Sequence, residues 1–117
     1  MTPLPEDAVP ALIVEIDGHA FGIIDPKARP LETVPTVTPV PLAPRALAGL
    51  AQVDGEVLPV LWPGEGIRVA AAAVLAETQH GRVILLCGRI LADEAASRAT
   101  VLPLDTLVES IRQAIRA

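Results

Sequence analysis

The side chains that could do chemistry in this chain are few and lie far apart in the sequence. The two histidines, His19 and His80, each fall in or beside a predicted turn. A metal site needs several His, Cys or carboxylate ligands at ordered spacing, and this pattern does not supply them. We therefore expect exposed turn residues rather than metal ligands. The single cysteine, Cys87, closes the apolar run 83–86. Because no cationic residue or histidine lies near it in the sequence, we expect a buried, inert thiol.

The sequence motifs of common enzyme active sites are missing. Ser97 and Ser110 lack the flanking glycines of a Gly-x-Ser-x-Gly nucleophile turn. The segment Gly64-Glu-Gly66 is not followed by the Lys-Ser/Thr of a phosphate-binding loop. The pair Asp93-Glu94 is explained more simply as solvated loop residues than as an acid–base couple. We expect a non-catalytic protein without a cofactor, unless folding assembles a site from distant residues.

The charge balance argues against a nucleic-acid partner. The 117 residues carry a net charge of -5, and Lys and Arg are scattered. Nucleic-acid binding requires a basic cluster, so no nucleic-acid partner is expected.

The N-terminus lacks the basic start and apolar run of a signal peptide, and the apolar run 69–76 is too short to insert into a membrane. With one cysteine and no possible internal disulfide, a cytoplasmic protein is predicted.

The sequence predicts three β-hairpins, and these would hold any functional site in place. In the first two, short apolar strands flank Asp17-Gly18 and Asp54-Gly55, and this dipeptide supplies the positive φ angles of a two-residue turn. The third turn contains Gly81. Pro59 cannot donate to a ladder, so its strand is expected to bend or to lie at an edge there. The repeated pattern predicts a mainly β fold, a small barrel or a pair of barrels.

The segments around the hairpins have different compositions. Six of the 19 residues in 26–44 are proline, which excludes a regular helix and predicts an extended crossing segment. Residues 1–10 are expected to form a flexible arm and residues 11–103 the β domain. Residues 104–117 are predicted to form an amphipathic helix with Asp105 as its N-cap. Its apolar face is expected to dock on its own barrel, with docking on a partner as the alternative. Trp62, in a loop, is either a lid on the core or an exposed anchor.

Three segments together resemble the CheW-like domain of bacterial chemosensory systems. They are residues 14–23 (VEIDGHAFGI), 38–49 (TPVPLAPRALAG) and 50–61 (LAQVDGEVLPVL). The family's signature hairpin has the form Gly-x-x-Asn-x-Arg-Gly-x-x-x-Pro-x-x-Asp, and Gly49, Gly55 and Pro59 match it. Gln52 stands at the Asn position, Asp54 at the Arg position and Trp62 at the Asp position. Later in the chain, Gly88 stands where the family has an Asp.

The resemblance implies a fold of two small SH3-like β-barrel lobes followed here by a C-terminal helix. It also implies a scaffolding role, in which the protein joins chemoreceptors to the regulatory domain of a CheA-type histidine kinase without catalysis. The partner-binding residues that it suggests lie on and near the hairpin: Val34, Leu50, Gln52, Asp54, Gly55 and Trp62.

Two other functions remain open at this point. A small barrel could bind a small molecule or act as an enzyme, and a deep polar pocket that holds His19 or His80 beside a carboxylate would support that function. Alternatively, the protein could associate with itself through the edges of its sheets.

Overall fold

The computed structural model of the chain describes residues 10–65 and 70–116. The predicted arm therefore lies outside the described residues except for Pro10, as do the last two residues of the predicted loop 62–67. The strands are β1 (Leu12–Ile16), β2 (His19–Ile23), β3 (Arg29–Pro30), β4 (Leu47–Val53), β5 (Glu56–Leu61), β6 (Ala72–Thr78), β7 (Gly81–Cys87), β8 (Arg89–Leu91) and β9 (Thr100–Val101). A 3₁₀ helix covers Asp93–Arg98, and an α-helix, α1, covers Leu104–Arg116.

The strands form two sheets. The first has the order β8-β1-β2-β9, and the second has the order β3-β6-β7-β5-β4. The mainly β fold with a C-terminal helix is thus confirmed. In the second sheet, the guanidinium of Arg29 in edge strand β3 lies 3.5 Å from the Asp54 carboxylate at the end of edge strand β4. This sheet is therefore rolled so that its two edges approach each other; closure into an SH3-like barrel stays a prediction.

The two Asp-Gly turns have the backbone geometry that their sequences predict. Asp17 and Gly18 have φ angles of 53° and 79°, and Asp54 and Gly55 have φ angles of 52° and 79°. Positive φ at both central residues is the mark of a type I′ turn, whose twist matches that of the flanking strands. Both hairpins are therefore closed in the expected register, with Ile16 opposite His19 and Val53 opposite Glu56.

The crossing segment reaches the second sheet at Thr38. Thr38 and Leu50 exchange both backbone hydrogen bonds, at 2.8 and 2.9 Å. This approach requires glycine next to Leu50, because a Cβ on Gly49 would lie 2.2 Å from the carbonyl oxygen of Thr38. Gly49 also has a φ of 154° and lies at a register shift in the β4–β5 ladder that begins at Leu47. Glycine is the residue that tolerates such a close backbone approach within a strand.

The same contact explains how Pro59 fits into the sheet. Leu50 is paired with Pro59, but the N–H and C=O of Leu50 point the other way, to Thr38. This pair therefore exchanges no hydrogen bonds, and the nitrogen of Pro59 faces away from β4. On that side, β5 pairs with β7 only from Val60 onward. Pro59 thus lies where β5 is locally an edge, as predicted.

The main core lies between the two sheets and α1. Val14 and Ile23 from the first sheet, Val60 and Leu85 from the second, and Val108 from the helix belong to one buried cluster. A smaller cluster on the other face of the first sheet joins Ile13 and Ala20 to Ala95 and Ala99, the latter two in and just after the 3₁₀ helix. The helix therefore docks on its own sheets, as expected from its apolar face.

The predicted N-cap of the helix is wrong. The helix begins at Leu104, so Asp105 lies inside its first turn. The Oδ1 atom of Asp105 instead accepts a hydrogen bond of 2.8 Å from the backbone N–H of Gln79 in the β6–β7 turn. The carboxylate thus caps the neighbouring hairpin turn, and it also lies at the helix end where negative charge is favourable.

The Gly49 contact predicts a large stability effect of a small substitution. Gly49→Ala should lower the free energy of unfolding more than Gly55→Ala, because both replacements place a Cβ at a positive φ but only the first also meets backbone atoms. The backbone cost shared by both variants is about 1–3 kcal/mol. Urea unfolding of both variants checks this, and equal losses of stability would contradict the role assigned to the Thr38 contact.

Candidate functional site

The outer surface of the β4–β5 hairpin is the first candidate site. Leu50 pairs with Pro59 and Gln52 pairs with Val57, so these four side chains lie on one face of the ribbon. The residues between them, such as Ala51 and Leu58, point to the core and are buried. Val57 is 62% exposed and Leu50 38% exposed. These four residues are called the hairpin face. It presents apolar side chains to solvent, while the opposite face of the same strand pair packs against the core.

Charged residues surround the tip of the hairpin. Asp54 lies 3.5 Å from Arg29, and Glu56 lies 3.5 Å from Arg82. All four side chains are more than a third exposed. Pairs of this kind contribute little to stability because water screens them. Replacing these ion pairs with contacts to another molecule would therefore cost little free energy.

A groove lies beside β4, between that strand and the start of the crossing segment. Its volume is about 380 Å³, and its lining residues are Leu31, Glu32, Thr33, Pro35, Thr36, Gln52 and Val53. It is called the seam groove. Val34 belongs to the segment that forms one wall and is 37% exposed, but it is not among the lining residues. The structure therefore places five of the six predicted site residues on or beside the hairpin; their role in binding stays a prediction.

Trp62 lies apart from that group. Its side chain is 2% exposed and belongs to the main core, so the lid alternative is confirmed and the exposed-anchor alternative is wrong. The indole packs against Gly64, where a Cβ would lie 2.9 Å from Nε1. Nε1 itself has no hydrogen-bond acceptor among the described residues. Any influence of Trp62 on a partner would be transmitted through the core.

Sequence reasoning missed Val57 as a surface residue. The apolar pattern of its strand does not mark it as exposed, whereas its exposure of 62% is the largest among the apolar residues of the hairpin face. The signal was present in the two-residue turn, which fixes Val57 opposite Gln52. A polar residue directly opposite shares its face with its partner, so the pair faces solvent together.

His19 lines an open cleft of about 580 Å³ between the first hairpin, the loop after β5 and the start of α1. The floor of the cleft is apolar, with Ile16, Phe21 and Leu107 among its residues. Asp17 is the carboxylate nearest in sequence to His19, and its Oδ2 accepts a hydrogen bond of 2.7 Å from the backbone N–H of Glu65. This carboxylate holds the loop in place, which leaves it poorly suited to act as an acid–base partner of His19.

His80 is not an exposed turn residue, contrary to expectation. Its side chain is 18% exposed because α1 packs over the β6–β7 turn. Nε2 lies 2.9 Å from the Glu109 carboxylate, although the N–H does not point directly at that oxygen, and Nδ1 contacts the guanidinium of Arg112. Since Arg112 can only donate, Nδ1 accepts and the proton belongs on Nε2. Nδ1 thus joins the turn to the helix, and Nε2 lies against the same helix without a formed hydrogen bond.

The other groups considered as candidates from the sequence are the thiol and clusters of metal ligands. Cys87 is fully buried, as predicted, and burial raises the pKa of its thiol from the ordinary 9.0 to about 11. Within residues 10–65 and 70–116, no three His, Cys, Asp or Glu side chains are grouped to hold a metal ion. Among the same residues, no helix has the length and apolarity that crossing a bilayer requires.

The buried thiol gives a direct test of the core. At pH 8, Cys87 in the native protein should resist a thiol-specific disulfide reagent, because the thiolate is disfavoured and the sulfur is covered. In denaturant it should react fully, which serves as the control. The folded-state pKa is the higher one, so this group's contribution to stability should fall as pH rises from 9 towards 11. Equal reaction rates in the native and unfolded protein would contradict the placement of Cys87.

Comparison with known proteins supports the fold independently of these side chains. No protein-family model matches the sequence, and no curated protein matches it. Among solved structures, the chain is similar to the scaffolding protein TtCheW from Thermoanaerobacter tengcongensis, with a TM-score of 0.54 and 15% sequence identity. The match covers 68% of this chain and 60% of that protein. At this identity the likeness is one of architecture, and the chain has a CheW-like fold.

Proposed function

We propose that this protein is a non-catalytic cytoplasmic adaptor of a bacterial chemosensory system, which couples receptor-like proteins to a CheA-type histidine kinase by protein–protein contacts. The observation that carries the proposal is the hairpin face, an exposed apolar surface on a CheW-like fold. An exposed apolar patch rimmed by polar residues is typical of a protein interaction site. No nucleic acid, cofactor or membrane insertion enters the proposal.

The geometry of the hairpin suits a docking surface. Its backbone is fixed by a type I′ turn at one end and by the Thr38–Leu50 bonds at the other. A rigid surface loses little conformational entropy when a partner binds. The exposed ion pairs at the tip place charge at the edge of the apolar surface, where it sets specificity more than affinity.

A catalytic function is less well supported than an adaptor function. The ring of His80 lies under α1, with Nδ1 against Arg112 and Nε2 2.9 Å from the Glu109 carboxylate, and it lines none of the cavities described above. His19 lines an open, largely apolar cleft that also contains Asp17 and Glu65, and the Asp17 carboxylate accepts a hydrogen bond from the backbone N–H of Glu65. General acid–base catalysis requires a group with a free nitrogen or oxygen within reach of a substrate. Self-association through the hairpin face or the sheet edges stays an alternative that solution measurements can separate.

Binding to a kinase fragment tests the proposal. The probe is the regulatory domain of a chemosensory histidine kinase encoded in the same genome, titrated against this protein by calorimetry. Val57→Lys should weaken binding at least about tenfold, which corresponds to about 1.4 kcal/mol, because it puts a charge at the centre of the hairpin face. Asp54→Arg should change both the affinity and its salt dependence. The matched control is Glu94→Lys, an exposed acid on the 3₁₀ helix outside the hairpin.

The outcomes of that titration are distinct. Tight binding that Val57→Lys weakens and Glu94→Lys does not would support the adaptor role through this face. No binding to the kinase domain, and none to a receptor signalling domain from the same genome, would overturn the proposal. Light scattering over a concentration series adds the remaining case, since a mass that rises with concentration and falls with Val57→Lys would assign the hairpin face to a second copy of the chain.

A further inference from the structure

We infer that the seam groove is a binding site for an extended peptide segment that carries a basic side chain and pairs with the free edge of β4. This inference rests on the proposed adaptor function, because it names the kind of segment that a partner would bring to the hairpin. It concerns the edge of β4 and the wall opposite, whereas the hairpin face lies on the surface of the ribbon.

The backbone groups of Gln52 point out of the hairpin. Leu50 directs its N–H and C=O to Thr38, so the Leu50–Pro59 pair has no hydrogen bonds of its own. Hydrogen-bonded and non-bonded pairs alternate along an antiparallel ladder, so the Gln52–Val57 pair is non-bonded as well. The N–H and C=O of Gln52 therefore point away from β5, towards the seam groove that Gln52 lines.

The crossing segment of the chain forms no backbone hydrogen bonds with Gln52 among the described residues. The antiparallel bridge between Thr38 and Leu50 would place Thr36 opposite Gln52 if the pairing continued. Within the described residues, no backbone hydrogen bond joins Thr36 to Gln52. Pro35 has no N–H to offer, and the segment leaves the edge of β4 at this point. The groove of about 380 Å³ is the space that results.

The lining of the groove is acidic and apolar. Its lining contains the carboxylate-bearing residue Glu32 and no Lys, Arg or His. Asp54 follows Val53 directly at the end of β4, and its side chain is 70% exposed in an ion pair with Arg29 at 3.5 Å, for which a bound basic side chain would compete. Apolar side chains, Leu31 and Val53, complete the walls. This composition complements a basic side chain flanked by apolar ones.

These features define the mode of binding. One residue of an extended peptide would exchange both backbone hydrogen bonds with Gln52, which is strand addition to an open sheet edge. Its basic side chain would lie against Glu32 and Asp54, and neighbouring apolar side chains would contact the walls. The volume falls within the range of about 300–1,000 Å³ that ligand sites occupy. The Thr38–Leu50 bridge blocks longer pairing, so recognition is limited to a short segment.

A peptide titration followed by NMR tests the inference on the whole chain labelled with ¹⁵N. The probes are acetyl-Thr-Val-Arg-Val-Thr-amide, the same peptide with Glu in place of Arg, and the Arg peptide with an N-methyl group on its Arg nitrogen. The Arg peptide should produce saturable shifts of the Gln52 and Val53 amides. The Glu peptide should not bind, and the N-methyl peptide should bind several-fold more weakly because it cannot donate to the Gln52 carbonyl.

Substitutions in the groove complete the test. Glu32→Lys should abolish binding of the Arg peptide and allow binding of the Glu peptide, whereas the same charge change in Glu94→Lys should leave both unchanged. Equal shifts from the Arg and Glu peptides, shifts confined to residues outside the groove, or no effect of the N-methyl group would overturn the inference. Absence of peptide binding would leave kinase binding through the hairpin face intact, so the two proposals fail separately.

Discussion

The close approach of Thr38 to Gly49 and Leu50 is the constraint on which the rest of the second sheet depends. The carbonyl group of Thr38 occupies the position that a Cβ on residue 49 would take. The crossing chain can therefore approach this closely only because residue 49 is glycine. The resulting pair of hydrogen bonds turns the backbone groups of Leu50 outward. That orientation permits Pro59 opposite Leu50, and it also turns the backbone of Gln52 towards the seam groove. Gly49 thus permits the crossing chain to pair with Leu50, while the alternation of the hairpin ladder places Pro59 and Gln52 in non-bonded pairs.

The parts of the fold that support this hairpin are held together by different interactions. The two sheets and α1 share one core of aliphatic side chains, so the hairpin rests on a packed base that includes Leu58 and Val60. The helix is fixed to the β6–β7 turn by polar contacts from Asp105, Glu109 and Arg112. On the hairpin itself, by contrast, the outward positions carry exposed apolar side chains and weak ion pairs. The molecule therefore combines a rigid interior with one face that is available for exchange of contacts, which is the arrangement that an adaptor needs.

Much of this architecture could be predicted from the sequence because it is encoded locally. The Asp-Gly turns specify both hairpins, alternation specifies which side chains are buried, and the prolines exclude a helix in the crossing segment. Features that depend on distant contacts could not be predicted. The two-residue strand Arg29–Pro30 forms because it pairs with β6. His80 is covered because α1 packs over its turn. Asp105 lies in the first turn of the helix and binds the backbone of Gln79 instead of capping the helix. The burial of Trp62 likewise follows from the packing between the sheets, which the composition of its loop does not predict.

The Thr38–Leu50 bridge fixes the hairpin, and we propose that a partner binds there. Amide hydrogen exchange, measured residue by residue with and without the regulatory domain of a chemosensory histidine kinase from the same genome, tests both halves at once. We expect the N–H groups of Thr38 and Leu50 to be protected in the free protein like those of β6 and β7, and the N–H groups of Gln52 and Val57 to become protected only in the complex. Rapid exchange at Thr38 and Leu50, or protection by the kinase domain that appears only outside residues 50–59, would contradict the account.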